Sequence, residues 1–214
     1  MTGLFGRKVR DAESNNGEEA SESLLFSTAF AGLGLEPSLL VPWEARAVEV
    51  DAKRVNSERG GRLLQEVWAN DKYMNQLDQA SIGSLTRFFD FAHVASNRDV
   101  IRQDEYGNFM IVLLTGTIAV DRVQPWGERL RLAETRAGEI LGEMSLLDSG
   151  IRFSTCTSLS ECEMAVLSAE GMDEMMDADP KLAASLVALL ARKLSLRLRV
   201  VSARLSDTKP TEPK

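Results

Sequence analysis

The part of this sequence best suited to chemistry is a short segment in which glycine, an acid and an arginine follow one another closely. Gly142 lets the backbone approach a ligand, because glycine carries no Cβ. A short helix that begins at Glu143 would direct the free N–H groups of Met144 and Ser145 at an anion such as a phosphate. Arg152, nine residues after Glu143, supplies a planar donor suited to phosphate oxygens. These residue types predict a phosphate-binding bend.

Glu143 adds a second requirement, because a carboxylate repels phosphate but accepts a hydrogen bond from a sugar hydroxyl. The pattern as a whole therefore suits a ribose phosphate. The alternative is a buried Glu143–Arg152 ion pair that stabilises a fold without ligand. Burying both charges without a ligand costs several kcal/mol, roughly, for each ion before pairing, which favours a binding site.

Composition excludes most enzyme classes. The chain has 214 residues, of which 44% are hydrophobic and 27% charged, as in a globular protein with one main core. A single histidine, His93, leaves Ser-His-Asp catalysis and histidine-rich metal sites without material. Cys156 and Cys162 are too few for a disulfide framework or a good zinc site, and we expect them to be small core residues in a reducing compartment. We therefore expect neither catalysis nor a metal or cofactor.

Charge and hydropathy indicate the surroundings. The net charge of −7 argues against a protein that coats nucleic-acid phosphates. The first 23 residues are polar and acidic, unlike a signal peptide. The apolar run Leu24–Trp43 contains Glu36, Pro37 and Pro42, so we expect no membrane span and a cytoplasmic location.

Patterning divides the chain into four parts. We expect a disordered tail over 1–23, a helical N-terminal region over 24–80, a domain over 81–206 and a tail over 207–214. The best helical segment of the second part is Gly61–Leu77, and Ser84 is the predicted N-cap of a short helix within 81–90. Thereafter the apolar period changes to two, and short strands at regular spacing indicate a roll or barrel. The predicted strands lie at Phe91–Val94, Val100–Gln103, within Phe109–Val123, and at Arg129–Ala133, Ser154–Ser158 and Met164–Leu167.

A long helix closes the chain. From Pro180 to Leu205 there is no glycine or further proline, which permits about 26 helical residues. Two apolar stripes, one containing Leu186 and Leu196 and one containing Leu190 and Leu198, require two neighbours, which we take to be the β-core and a second subunit. The region 181–206 carries six basic and no acidic residues. It is either a solvated face beside the subunit contact or a docking surface for an acidic partner.

The segment Gly138–Arg152 resembles the phosphate-binding cassette of cyclic nucleotide-binding domains, most closely the bacterial catabolite activator type. The resemblance extends from Leu77 to Ser206. Spacing is kept from Gly116 through the Gly127 hairpin to Glu143, and again from Arg152 through Pro180 to Arg192-Lys193. It implies an α+β protein with a mainly β core, an antiparallel, jelly-roll-like β-roll with an N-terminal helical region and a long C-terminal helix. The implied ligand is cAMP or cGMP.

The resemblance also implies roles for individual residues. Glu143 corresponds to the ribose-binding carboxylate, Arg152 to the ligand of the cyclic phosphate, and the backbone of Gly142, Met144 and Ser145 to the supporting cassette. Two further positions, on the preceding strand, line the base and sugar pocket in the family: Leu132 and Ala133.

Three positions depart from the family pattern. Phe153 replaces a small or hydroxyl residue and either crowds the phosphate or points into the core. Ile151 replaces a frequent proline. Arg197-Leu198 stand where the lid helix usually offers hydroxyls to the base, so Arg197 contacts either a purine edge or only solvent.

The expected function follows from what comes after the long helix. Only about eight residues remain beyond Ser206, where the activator family has its DNA-reading helix-turn-helix, so no DNA partner is expected. We expect a cyclic nucleotide sensor that rearranges its helices and signals to an unidentified effector protein. The alternative is a degenerate, ligand-free β-roll that serves as an interaction scaffold, with Phe153 filling the pocket.

Overall fold

The computed structural model describes residues 25–34 and 36–207. The expected tail 1–23 lies outside the described residues, as does all but the first residue of the tail 207–214. Within the described residues the strands form two antiparallel sheets. The strands are β1 Lys53–Arg54, β2 Asp90–Val94, β3 Asp99–Ile101, β4 Phe109–Thr115, β5 Ile118–Val123, β6 Arg129–Thr135, β7 Ile140–Leu141, β8 Thr155–Ser158 and β9 Cys162–Ser168.

The two sheets have different numbers of strands. One has five, in the order β1-β2-β9-β4-β7, and the other has four, in the order β3-β8-β5-β6. The central strand β4 is apolar at almost every position because it is covered on both faces. Alternate residues such as Ile111 and Leu113 pack in the cluster between the sheets, and Met110 and Val112 pack in a second cluster under the helices. The layers are therefore sheet, sheet and helices.

Most of the helices precede or follow the strand-rich part of the sequence, and one lies within it. They are α1 Ala29–Gly32, α2 Trp43–Glu49, α3 Ser57–Ala69, α4 Gln79–Leu85, α5 Glu143–Asp148, α6 Ala169–Ala178 and α7 Pro180–Asp207. Short 3₁₀ turns lie at Pro37–Leu39, Met74–Gln76 and Thr86–Phe88. This arrangement confirms the predicted fold class, with a mainly β core and a long C-terminal helix. No helix of the described ranges combines the length and apolar character that crossing a membrane requires.

The helix α3 begins earlier and ends earlier than predicted. Asn56 caps it by accepting hydrogen bonds from the amides of Glu58 and Arg59 at 2.8 and 3.3 Å. Gly60, which precedes the predicted segment, lies inside the helix where a Cβ would come within 2.2 Å of the Phe91 ring. Close packing against β2 therefore explains a glycine that reduces intrinsic helix propensity.

The predicted N-cap Ser84 is wrong. Ser84 lies inside α4, and the cap is Asp78, whose carboxylate accepts a hydrogen bond from the Ser81 amide at 2.7 Å. An aspartate at this position bonds the first free amides of a helix as well as a serine does.

The last helix begins at Pro180 as predicted and runs for 28 residues. Its first half is buried against α6 and the sheet through Leu182, Leu186 and Leu190. Its second half emerges from the core, and Leu198 is 67% exposed. The helix thus runs from the buried core to an outer half that exposes apolar side chains.

Candidate functional site

The cassette bend forms where β7 meets α5. Gly142 is the residue before α5 and has φ of +76°, a conformation that favours glycine. A Cβ at this position would lie 2.6 Å from Arg152 Nη1 and 2.8 Å from Ile101 Cδ1. Space and backbone conformation both require glycine, and the helix begins at Glu143 as predicted.

Arg152 lies inside the domain with 3% of its surface exposed. Its Nη1 donates to the Gly142 carbonyl at 2.8 Å and its Nη2 to the Phe109 carbonyl at 2.7 Å. The Phe109 ring centroid lies 4.5 Å from Cζ of the guanidinium. Burial lowers the pKa of Arg152 to about 10. In the described part of the chain, no carboxylate lies within ion-pair distance of this cation.

Glu143 is buried and is held by the last helix. Nη1 of Arg197 donates to its Oε1, and Nη2 of Arg197 donates to the Ile140 carbonyl at 3.1 Å. Burial raises the pKa of Glu143, which the nearby charge of Arg197 opposes. The alternative of a Glu143–Arg152 ion pair is therefore wrong, because the two side chains have different partners. Arg197 was expected at a purine edge or in solvent, and it contacts the cassette instead.

The other two cassette residues lie in the first turn of α5. The side chain of Met144 is about half exposed and that of Ser145 is buried. Their amides belong to the first turn, where a helix has no earlier carbonyls of its own to bond them. The predicted amide donors are thus located beside Gly142. Because α5 is only six residues long, its N-terminus is a weak positive end, and Arg152 is the main cationic feature of the bend.

Leu132 and Ala133 lie on β6, at the open edge of the four-stranded sheet. Both are exposed. Ala133 pairs with Val120 on β5, and Val120 packs against the cluster between the sheets. The sheet order puts β6 two strands from β8, or roughly 10 Å, and Arg152 lies just before β8.

Phe153 follows Arg152 but leaves the interior. Its ring is 53% exposed and lies 4.0 Å from Cζ of Arg122, whose Nη1 donates to the Phe153 carbonyl. A ring in this position does not enter the core. The core placement considered from the sequence is therefore wrong, crowding of the phosphate stays a prediction, and Arg122 explains why the ring is held outside.

Sequence reasoning missed the loop that supports Arg152 from behind. A Cβ on Gly107 would lie 2.7 Å from both Nε and Nη2 of Arg152, so this glycine makes room for the guanidinium. The Arg152 amide donates to the Glu105 carbonyl at 2.7 Å, and the Asp104 amide donates to the Arg152 carbonyl at 2.9 Å. The only sequence signal for this loop is the Gly107-Asn108 pair, which is typical of a turn.

Both cysteines are buried, Cys156 near Arg152 and Cys162 beside Thr117 and Ser160. Burial raises the pKa of Cys156 to about 12, although the charge of Arg152 opposes the shift. Burial also raises the pKa of Cys162. Among the residues that the structure describes, no group of three or more His, Cys, Asp or Glu side chains is placed to hold a metal ion.

Comparison with known proteins gives this geometry a family. Residues 92–179, which include the whole cassette, match the family model of the cyclic nucleotide-binding domain. The chain contains a cyclic nucleotide-binding domain. The matched part begins in β2 and ends just after α6, so α2 and α7 lie outside it. The resemblance found in the sequence is thereby confirmed.

Two curated relatives contain the same domain. The chain is 31% identical over 97 residues to the cyclic AMP receptor protein of Thermus thermophilus, covering 45% of each protein. It is 21% identical over 131 residues to a CRP-like cAMP-activated global transcriptional regulator of Mycobacterium tuberculosis, covering 61% of this chain and 58% of that protein. The chain thus spans about half the length of these relatives.

Solved structures agree on the fold. The cyclic nucleotide-binding domain from Methylobacillus flagellatus superposes with a TM-score of 0.67 at 21% identity, covering 76% of this chain and 93% of that one. The Thermus thermophilus catabolite activator protein superposes with a TM-score of 0.53 at 26% identity, covering 62% of this chain and 63% of that one. Both neighbours support the β-roll architecture.

Proposed function

We propose that this chain binds a cyclic nucleotide, cAMP or cGMP, in the cassette bend. The observation that carries the proposal is Arg152, a buried cation whose side chain, among the described residues, bonds only backbone carbonyls. An unpaired buried charge is unfavourable by several kcal/mol, roughly, and an anionic ligand removes much of that penalty. The charge of a cyclic phosphate is suited to this role.

The remaining cassette residues suit the sugar and base. Glu143 has a buried carboxylate able to accept from a ribose hydroxyl, and the amides of Met144 and Ser145 supplement the phosphate contact. Leu132 and Ala133, about two strand spacings away, are within reach of the rest of a nucleotide. In this proposal Phe153 and Arg122 lie at the margin of the site.

Calorimetric titration with cAMP and cGMP tests the proposal. Arg152→Met removes the cation while keeping an unbranched side chain. Loss of a buried charge pair costs about 2 to 4 kcal/mol, so we expect the Kd to rise at least about 30-fold. The control is Arg59→Met, which makes the same substitution at an arginine of α3 that pairs with Glu163 on β9. Absence of binding of either nucleotide to the wild-type protein at about 100 µM would contradict the proposal and favour the ligand-free scaffold.

We further propose that ligand binding is transmitted by α7. A ribose hydroxyl on Glu143 competes with Arg197, which already occupies Oε1 of that carboxylate. Nucleotide binding then loosens the outer half of α7 and shifts the population of its positions. The exposed end of α7 is the surface that we propose for an effector protein in the cytoplasm, without catalysis or DNA binding by this chain.

The sign of one substitution tests this competition. If Arg197 competes with the nucleotide, Arg197→Ala raises the affinity for cAMP by about fivefold, the value of a partly exposed ion pair of roughly 1 kcal/mol. Arg192→Ala is the control, because Arg192 lies on the same helix and contacts Gln76. A weaker affinity in Arg197→Ala would mean that Arg197 contacts the nucleotide, and the competition would be wrong.

A further inference from the structure

Helix α2 lies outside the residues that match the family model, yet it packs directly behind the phosphate-binding arginine. Two of its residues, Trp43 and Arg46, are each 1% exposed. An arginine this deeply buried needs partners, because an unpaired guanidinium in the interior is strongly unfavourable. One of its partners, Glu105, lies in the loop that also holds Arg152.

The first connection is aromatic. The Trp43 and Phe109 rings meet edge to face, with centroids 5.5 Å apart and an interplanar angle of 62°. Phe109 also contacts Arg152, through its ring and through its carbonyl oxygen. Trp43 therefore fixes the residue on which the guanidinium rests.

The second connection is ionic. Arg46 pairs with Glu105 across the two elements and with Glu49 on its own helix. Arg102, at the end of β3, pairs with Glu49 and lies 3.9 Å from Glu105, which closes a ring of four alternating charges. The carbonyl of Glu105 accepts the Arg152 amide. The side chain of Glu105 thus faces α2 while its backbone holds Arg152.

The third connection runs through the backbone just before α2. The Val41 amide donates to the Tyr106 carbonyl at 2.9 Å. Tyr106 forms a bridge with Leu40 on one side and with Ile151, the neighbour of Arg152, on the other. Residues 40–49 therefore contact this part of the chain at Glu105, Tyr106 and Phe109.

We propose that Trp43 and Arg46 are positioning residues of the phosphate site, so that α2, acting through Glu105 and Phe109, sets the orientation of Arg152. This inference rests on the proposed binding of a cyclic nucleotide. The charge of Arg46 is also one of the influences that lower the pKa of Arg152, which agrees with the closeness of the two guanidinium groups. It follows that the cyclic nucleotide site of this chain is incomplete without α2, a helix outside the residues 92–179 that match the family model.

The decisive variant is Glu105→Gln, tested in the full chain by titration with cAMP. The substitution breaks the ionic link to Arg46 and leaves the Glu105 backbone carbonyl in place. We expect the Kd to rise about tenfold, as for groups that orient a ligand-binding side chain from behind. Arg46→Gln should raise it at least as much, and Arg46→Lys should recover part of the loss because it keeps the charge.

A double-substitution cycle separates positioning from general damage. In an Arg152→Lys background, where the guanidinium is already absent, Glu105→Gln should change the Kd less than twofold. Asp173→Asn is the matched control, because Asp173 is also buried and ties an N-terminal segment to the domain by accepting from the Phe26 and Ser27 amides. We expect Asp173→Asn to lower the melting temperature without changing the Kd.

Fluorescence gives a second readout, which compares wild-type protein with one aromatic substitution. The emission spectrum of wild-type protein should change when cAMP binds, and the change should be lost in Trp43→Phe. An unchanged Kd in Glu105→Gln, or an equal rise in both backgrounds, would overturn the positioning role while leaving binding intact. Failure of the wild-type protein to bind either nucleotide would overturn both proposals together.

Discussion

Arg152 and Glu143 show how two opposite charges can be buried near one another and still have separate partners. The carboxylate is neutralised by Arg197 from the last helix, whereas the guanidinium has only carbonyl oxygens. The lowering of the Arg152 pKa from 12.5 to about 10 corresponds to a free energy of about 3 kcal/mol against the charged form. This asymmetry leaves the cation, and not the acid, as the unsatisfied member of the site.

The free energy of unfolding should depend on pH through the protonation of Glu143. Its folded pKa is raised by burial above the ordinary value of 4.5, so the folded protein takes up this proton at a higher pH than the unfolded chain. The contribution of Glu143 to the free energy of unfolding therefore increases as pH falls through the raised pKa towards 4.5. Urea unfolding of wild type and Glu143→Gln between pH 7 and 4.5 measures the effect. We expect wild type to gain stability relative to the variant as pH falls.

This prediction has a control variant and an outcome that would contradict it. Glu139→Gln serves as the control, because that carboxylate is half exposed and lies on the same face near Arg197. Parallel stability profiles for wild type and Glu143→Gln would show that burial does not favour the protonated acid.

At the residue scale, sequence identified the chemistry but not the partners. Gly142, Glu143 and Arg152 were found because their types and spacing are local. The contact between Arg197 and Glu143 joins residues 54 apart in the chain, and its existence depends on the path of α7 over the cassette. The position of Phe153 was equally unpredictable, because Arg122, 31 residues earlier, holds the ring outside.

The element that decides the orientation of Arg152 is the loop between β3 and β4. Gly107→Ala tests how tightly this loop fits, because the added methyl group would meet the guanidinium and not backbone atoms. The guanidinium is the flexible end of a side chain, so we expect it to shift. The Kd for cAMP should rise about tenfold with a change of less than about 1 kcal/mol in the free energy of unfolding.

Gly32→Ala is the control. Among the described residues, no atom outside the adjoining backbone lies within 4 Å of the position that the added Cβ would take. We expect it to leave the Kd unchanged. A loss of stability in Gly107→Ala without a change in Kd would show that the loop supports the fold and not the site.

At the element scale, local signals were good predictors where a helix begins at a residue with a fixed role. Pro180 and Gly142 located the starts of α7 and α5. Local signals failed where packing against another element decides which residue a helix contains. Gly60 lies within α3, and it is a glycine because Phe91 leaves no space for a side chain. The role of α2 could not be predicted either, because nothing near Arg46 in the sequence indicates a partner 59 residues away.

At the scale of the whole molecule, the two halves of α7 have different surroundings. Its first half completes the core under the helices, and its second half exposes Leu198, Val200 and Val201. Exposed apolar residues on a long helix are typical of a subunit contact. This pattern supports the predicted homodimer.

Sedimentation velocity at micromolar concentration checks the dimer. We expect wild type to sediment as a dimer, and Leu198→Glu combined with Val201→Glu to sediment as a monomer. Leu159→Glu, which alters an exposed leucine between β8 and β9, is the control and should remain dimeric. A monomeric wild-type profile would contradict the prediction.

The burial of both thiols has a consequence for the reactivity of the bend. A thiol attacks peroxides and electrophiles as its thiolate, and with a pKa of about 12 Cys156 remains almost wholly protonated at neutral pH. The thiol next to the bend is therefore a poor nucleophile. Oxidants that react with thiolates should leave Cys156 unmodified, so the proposed binding of a nucleotide needs no reductant to protect this residue.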